Sequence, residues 1–430
     1  MFKTYEIEYG GKPFVMEFGK MAKQTGGSCT VRYGETVVLV TACRAPKASI
    51  GVDFMPLTAN YQEMTYAAGK IPGGFFKREG RPTEREVLCS RLIDRPIRPL
   101  FVDGYSHETQ VVATVMSLDS EHPAEVAAMI GASVALGISD IPFCGPIACI
   151  RVGRIDGKFV ANPSMSEFAG SDIDLLVAGS EGSIAMVEGG AEGASEADMV
   201  AALMFAQEAM KPMIELQKTI IAELGKDKLV IEPPKVDEDL KAKVKEISEA
   251  GLTEALNIPT KMERYARVAE VKAELIAALG EDYADREKEA KGLFGGLKSD
   301  IMRKTIISEK VRVDGRDPVT VRDITCEVGM LPRAHGSALF TRGETQAMVV
   351  TTLGTSDDEQ RIDALLGWEY KSFMLHYNFP PWSVGEVRFL RGPGRREIGH
   401  GALAERAVVK VMPGEDAEFP YTMRVVSEIL

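Results

Sequence analysis

Apolar residues fall in short alternating or continuous runs along most of the chain, and those runs predict strands. GSCTVRYGETVVLVTA (27–42) reads as a strand, a tight turn at Gly34 and a second strand. The nearly continuous apolar stretch Val37–Val40 predicts burial on both faces of that second strand. GSALFTRGETQAMVVT (336–351) repeats the pattern without a gap 309 positions later (Gly27 to Gly336), with its turn at Gly343. LIDR (92–95) falls opposite LAER (403–406) once two residues are inserted, so the chain reads as two copies of one unit.

Within the first copy, QVVATVMSL (110–118), DLLVAG and SIAMVEGG predict strands. AEVAAMIGASVALGIS (124–139) predicts an Ala-rich helix, with Gly131 and Gly137 allowing close packing. The glycines of 188–193 admit two readings, a phosphate cradle or a turn before a helix that starts at Ser195-x-x-Asp198. IEPPKVDED (231–239) is a breaker, which sets a boundary near 230. Beyond it the pattern changes to helical spacing. Thr260-x-x-Glu263 reads as a capping box, Val268, Val271, Leu275 and Leu279 form one stripe, and Gly280 ends the helix. The expected organisation is a first domain over 1–230, a helical linker over 235–305 and a second copy over 310–430.

Length supports this division, since 430 residues exceed what one core organises. No apolar run reaches the ~18 residues of a membrane span, and the amino-terminal stretch lacks a secretory signal pattern. Six scattered cysteines without C-x-x-C spacing argue against a zinc site or disulfide framework and fit a reducing cytosol. A net charge of −12 repels polyanions on average, so nucleic-acid binding needs a local basic patch.

Two such patches exist. Between 388 and 410, six basic residues (Arg388, Arg391, Arg395, Arg396, Arg406, Lys410) face two acidic ones (Glu397, Glu405). Between 77 and 98, seven basic residues face four acidic ones. The bias to arginine fits bidentate phosphate recognition; a solvated helix face laced with ion pairs is the other reading. In GGFFKREGRP (73–82), Phe75 and Phe76 beside Lys77 and Arg78 fit either base stacking or a core plug. Arg396 and His400, four apart, share a helix face, and Gly392, Gly394 and Gly399 would let a ligand approach it.

FFKREGRP, RLIDRPIRPLF, LPRAHGSALFTRGETQA, FMLHYNFPPWSVGE and GPGRREIGHGALAERA together resemble the bacterial polynucleotide phosphorylase family (polyribonucleotide nucleotidyltransferases) along essentially the whole chain. The resemblance implies an α+β fold, two ribonuclease PH-like domains of the ribosomal protein S5 domain 2-like type, joined by a small all-α domain. It implies a cytoplasmic homotrimeric ring that degrades single-stranded RNA from its 3′ end with inorganic phosphate and Mg²⁺, releasing nucleoside diphosphates, in mRNA turnover and RNA processing. An RNA-degradation assembly is an implied partner. Arg395, Arg396 and His400 take catalytic positions, and Phe75, Phe76, Lys77, Arg78, Arg98 and Arg316 take RNA-binding ones. Lys77 departs from the family's arginine.

Opposite Arg395, Arg396 and His400 the first copy has Glu84, Arg85 and Cys89, and its Asp172-Ile-Asp174-Leu-Leu176 lacks the lysine of the family's metal run. The first copy is therefore expected to guide RNA rather than react with it. YTMRVVSEIL aligns near VVATVMSLDS, so the second copy is expected to be incomplete, its family metal ligands lying beyond Leu430 and its last strand, Tyr421–Leu430, left as a bare edge. A non-catalytic RNA-binding or ring-scaffold chain is the alternative. A small-molecule phosphotransferase is disfavoured, because 188–193 is not followed by Lys-Ser or Lys-Thr.

Overall fold

The computed structural model describes residues 2–49, 54–232, 237–413 and 419–430. The chain divides into two compact units, residues 1–232 with 325–430, and residues 233–324. The middle of the predicted breaker, PPKV (233–236), lies outside the described residues.

The first copy opens with β1 (Lys3–Tyr9), β2 (Lys12–Phe18), β3 (Gly27–Tyr33), β4 (Thr36–Ala48) and β5 (Leu57–Glu63). Then come α1 (Glu84–Ile97), β6 (His107–Ser117) and α2 (Ala124–Ile138). A second sheet and a long helix follow, as β7 (Ala148–Ile155), β8 (Lys158–Ala161), α3 (Met165–Phe168), β9 (Ile173–Gly179), β10 (Ile184–Ala191) and α4 (Glu196–Leu224). The helical unit holds α5 (Glu238–Leu256), α6 (Lys261–Leu279) and α7 (Glu287–Glu309). The second copy runs through β11 (Ile324–Val328), β12 (Gly336–Arg342), β13 (Thr345–Gly354), β14 (Gln360–Ala364), β15 (Gly367–Lys371), β16 (Phe373–Asn378), α8 (Arg395–Val409) and β17 (Thr422–Ile429). Among the described residues no helix is long and apolar enough to cross a membrane.

The repeat seen in the sequence is a repeat of topology. Gly27 pairs with Ala42 in one hairpin and Gly336 with Thr351 in the other, the same register 309 positions apart (Gly27 to Gly336). Gly34 and Gly343 both sit at φ 61°, the positive value that the first residue of a two-residue II′ turn requires. The first sheet is ordered β1-β2-β3-β4-β6-β5 and the second β11-β12-β13-β17-β16. In each, the strand after the helix enters antiparallel to the hairpin and parallel to the edge strand. This placement corrects the expected bare edge. β17 is bonded on both sides, because sheet order here is not chain order, and β16 is the outer strand.

The core of the first copy lies between its main sheet and α2, which is buried along almost its whole length. A Cβ on Gly131 would meet Val40 Cγ2 at 2.5 Å, and one on Gly137 would meet Ile221 Cδ1 at 2.4 Å, so both glycines let helix and neighbour touch. Val31, Val38 and Val40 are fully buried, each worth about 1.5–3 kcal/mol of transfer free energy. Val37 and Leu39 are only half-buried, so β4 has one covered face rather than the two expected. Under the 309-residue offset (Gly27 to Gly336), Val31 and Val40 correspond to Phe340 and Val349, which remain partly exposed.

Ser195 caps α4 as predicted, accepting from the Asp198 N–H; Gly189 and Gly190 belong to β10 and Gly193, φ 71°, to the turn before α4, which favours the turn reading. In the helical unit Leu240, Val244, Leu252, Val271, Leu275 and Phe294 form the core. α6 starts after Thr260 and ends at Gly280, φ 64°, but the Thr260 side chain makes no capping bond, so the predicted capping box is absent.

Candidate functional site

α8 begins at the expected place, after Gly394, whose N–H donates to Glu397 Oε2 at 3.1 Å. Its first two residues are Arg395 and Arg396. Cations at a helix amino terminus oppose the macrodipole, at a cost of about 0.3–1 kcal/mol each, which a bound anion would reverse. Arg395 is tethered to β5 of the other copy, donating from Nη1 to the Ala59 carbonyl at 2.8 Å and from Nη2 to Asn60 Oδ1. Both partners are neutral. Arg396 is exposed, and among the described residues neither arginine forms an ion pair with a carboxylate.

His400 lies one turn on, its ring 5.3 Å from that of Tyr377. Burial lowers its imidazole below the usual 6.5, and Arg396 and Arg91 act in the same direction. Held in this direction, the imidazole favours its neutral form and suits a hydrogen bond to phosphate. Contrary to the expectation, Gly399 opens no path for a ligand. It is buried, and a Cβ there would meet Arg91 Nε at 2.5 Å, so this glycine admits α1 of the first copy. A cleft of about 290 Å³ beside α8 is lined by Glu84, His376, Tyr377, Glu397 and Arg424. Arg395 and Arg396 lie on open surface outside it.

The same helix positions in the first copy have the opposite chemistry. Arg85 donates to Glu63 Oε1 at 2.9 Å and lies 3.5 Å from Glu125 Oε2, carboxylates that are only 11% and 13% exposed. Burial works against the Arg85 charge, but Glu125 and Glu63 outweigh it and hold the guanidinium firmly protonated. Arg151 shares Glu125 at 3.3 Å and takes Asp174 at 2.9 Å, while Arg154 holds Asp172 at 2.6 Å. Asp172 and Asp174, which stand where the family's metal run lies but without its lysine, are thus occupied by arginines. They do not fit a magnesium ion, and among the described residues no three His, Cys, Asp or Glu side chains form a metal-holding group. Cys89, opposite His400, is buried, and burial drives its thiol up.

Other basic residues divide into paired and unpaired. Glu188 brackets the related residues Arg95 and Arg406, at 2.7 and 2.9 Å. Lys410 pairs with Glu192, and Arg388 with Glu386. Arg98 spends its donors on Asp94 and on the carbonyls of Met55 and Leu57, which makes it an internal brace. Arg316 is part of the helical unit, bonded to Asp314 and to the Thr320 carbonyl. Phe75 and Phe76 are 92% and 88% exposed, with Lys77 and Arg78 exposed beside them, which removes the core-plug reading. Phe389, 84% exposed with Arg391 over its ring at 5.8 Å, is an aromatic and basic pair that sequence reading missed, although the residues are adjacent in type and place. Asn60 was also missed, being 335 positions from Arg395.

Comparison with known families gives a consistent pattern. The model of the 3′ exoribonuclease family, domain 1, matches residues 10–142 and again 320–430. The family's domain 2 matches residues 145–209, and the RNA-binding domain of polyribonucleotide nucleotidyltransferase matches 239–317. The polyribonucleotide nucleotidyltransferase of Anaeromyxobacter dehalogenans (strain 2CP-C) is 55% identical over 98% of this chain and 60% of its own length. Those of Geotalea uraniireducens and Syntrophotalea carbinolica are 52% and 51% identical, over 61% of their own lengths. The chain therefore spans about 60% of the length of these curated relatives.

Proposed function

We propose, from the premise that the chain belongs to the 3′ exoribonuclease family and is a homologue of the polyribonucleotide nucleotidyltransferases, that its second copy carries the anion-binding end of a phosphorolytic 3′-to-5′ RNA-degrading site. In that reaction an oxygen of inorganic phosphate bonds to the terminal phosphodiester phosphorus and the bond to the 3′ oxygen breaks. The phosphate's proton ends on that oxygen, giving a nucleoside diphosphate and RNA one residue shorter. Two anions must be held together, which charge neutralisation and positioning achieve without a protein nucleophile. Arg395 and Arg396 supply the charge, and neutral His400 a hydrogen bond. The loop carrying Phe75, Phe76, Lys77 and Arg78 stacks bases and tracks the backbone. Arg98 and Arg316 are left out, their donors being committed elsewhere. The cytoplasmic ring, Mg²⁺ and RNA-degradation partners implied by the resemblance belong to the same proposal.

One observation carries it. Among the described residues Arg396 forms no ion pair with a carboxylate, at the position where Arg85 has two. A second reading, RNA binding without turnover, is favoured by the absence of a metal-holding group among the described residues. The chain incubated with oligo(A), inorganic phosphate and Mg²⁺ separates them. Release of adenosine diphosphate that disappears in Arg395→Ala/Arg396→Ala supports phosphorolysis. Tight oligo(A) binding with no release supports the second reading, and no binding removes both.

A further inference from the structure

We infer that Asn60, in the copy without an open site, is a positioning residue for Arg395 in the copy that has one. The inference rests on the reading of Arg395 as an anion ligand. The Arg395 guanidinium has five N–H donors, and β5 takes two, one on the Ala59 carbonyl at 2.8 Å and one on Asn60 Oδ1. Ala59 is buried and Asn60 half-buried, and the Asn60 amide reaches Arg395 at the start of α8. Two neighbouring acceptors fix the plane of the guanidinium and leave its other donors available. Neither acceptor carries charge, so the arginine is oriented without being neutralised. A carboxylate at position 60 would orient it equally well and cancel what it brings to an anion.

The duplication supplies an internal comparison. Asn60 pairs with Val112 of β6, and His376 pairs with Val426 of β17, which makes His376 the counterpart of Asn60. Glu84 is the counterpart of Arg395, each opening its helix 311 positions apart (Glu84 to Arg395). Glu84 and His376 line one cleft, and Glu84 pulls the His376 imidazole upward against burial and Arg424, which lower it. Each helix amino terminus is thus set against the edge strand of the other copy. On one side an anion meets a titratable ring, with Lys371 also within 3.4 Å of Glu84. On the other a cation meets an amide, and only that side keeps its charge available.

The test measures affinity of the 430-residue chain for fluorescent oligo(A) over a range of salt. Asn60→Ala should weaken binding about tenfold, as loss of one hydrogen bond to a charged group does, with the salt slope unchanged because the charge remains. Asn60→Asp should weaken it at least as much and lower the slope by about 0.7, one phosphate contact on a single strand. Asn60→Asp added to Arg395→Ala should cost nothing further. A merely structural role would lower the thermal midpoint and leave the slope alone. Wild-type affinity and slope in Asn60→Asp, or additive losses in the double variant, overturn the inference while Arg395 keeps its role. Should Asn60→Asp fail to fold, Asn60→Ala decides, unchanged affinity being the contrary result. If Arg395→Ala itself binds as wild type, the underlying reading fails first.

Discussion

Arg85 and Arg396 hold the same place in two related helices, and the difference between them is their surroundings. Glu63 and Glu125 surround one, while solvent surrounds the other. Arg85→Ala takes the guanidinium from the largely buried Glu63 and leaves Glu125 to Arg151 alone. Because the Arg85 side chain is 52% exposed, solvent screens the pair, and the loss should be about 1–2 kcal/mol rather than the 3–5 kcal/mol of a fully buried pair. Thermal unfolding would show it, with RNA affinity unchanged; Arg396→Ala should do the reverse. His400 gives a pH signature. Its folded value is depressed below 6.5, so its stabilising contribution is complete above 6.5 and is lost as pH falls toward the folded value. Over the same descent it gains charge beside Arg396, so affinity for an oligoribonucleotide, whose phosphodiesters do not titrate there, should rise. His376 is also depressed, by burial and Arg424. The comparison with His400→Gln at each pH therefore isolates His400, and identical curves would refute the assignment. At this scale sequence reading found the exposed aromatics and the arginine pair, since local composition marks both. It missed that Arg98 is spent on Asp94, although their i,i+4 spacing was visible, and it had no signal for Asn60.

The elements that sequence reading placed well are those fixed by local pattern. Both hairpins, the Ser195 start of α4 and the apolar stripe of α6 depend on residues within a turn or two of one another. The position of β17 inside its sheet depends on partners far along the chain, and there the edge expectation failed. The half-exposure of Val37 and Leu39 is likewise decided by whether a second layer covers that face, which an apolar run does not record. Contact of α2 with the sheet is tight enough to test. Gly131→Val would drive a branched side chain into Val40 and Val31, and overpacking of this kind costs about 1–3 kcal/mol. A chain of unchanged thermal midpoint would show that α2 sits further from β4 than 2.5 Å at that Cβ position allows.

Taken as a whole molecule, a chain of charge −12 sets exposed cations beside exposed aromatics in two glycine-flanked loops, and at the start of α8 it holds two arginines that, among the described residues, form no ion pair. Duplication explains how. One copy has closed its arginine position with carboxylates, and the other has left it open and is braced by its twin through Asn60. The aromatic loop of the first copy should then contribute stacking more than charge. Phe76→Ala should weaken oligo(A) binding by about 1–3 kcal/mol with little change in salt slope. An unchanged affinity would return Phe76 to the ordinary surface. The most direct test of the central claim is the salt dependence of oligo(A) binding by the chain and its Arg395→Ala/Arg396→Ala variant. Loss of about a hundredfold in affinity, with a slope shallower by about 1.4 for two lost phosphate contacts, is the predicted result. Equal affinity and equal slope would contradict it.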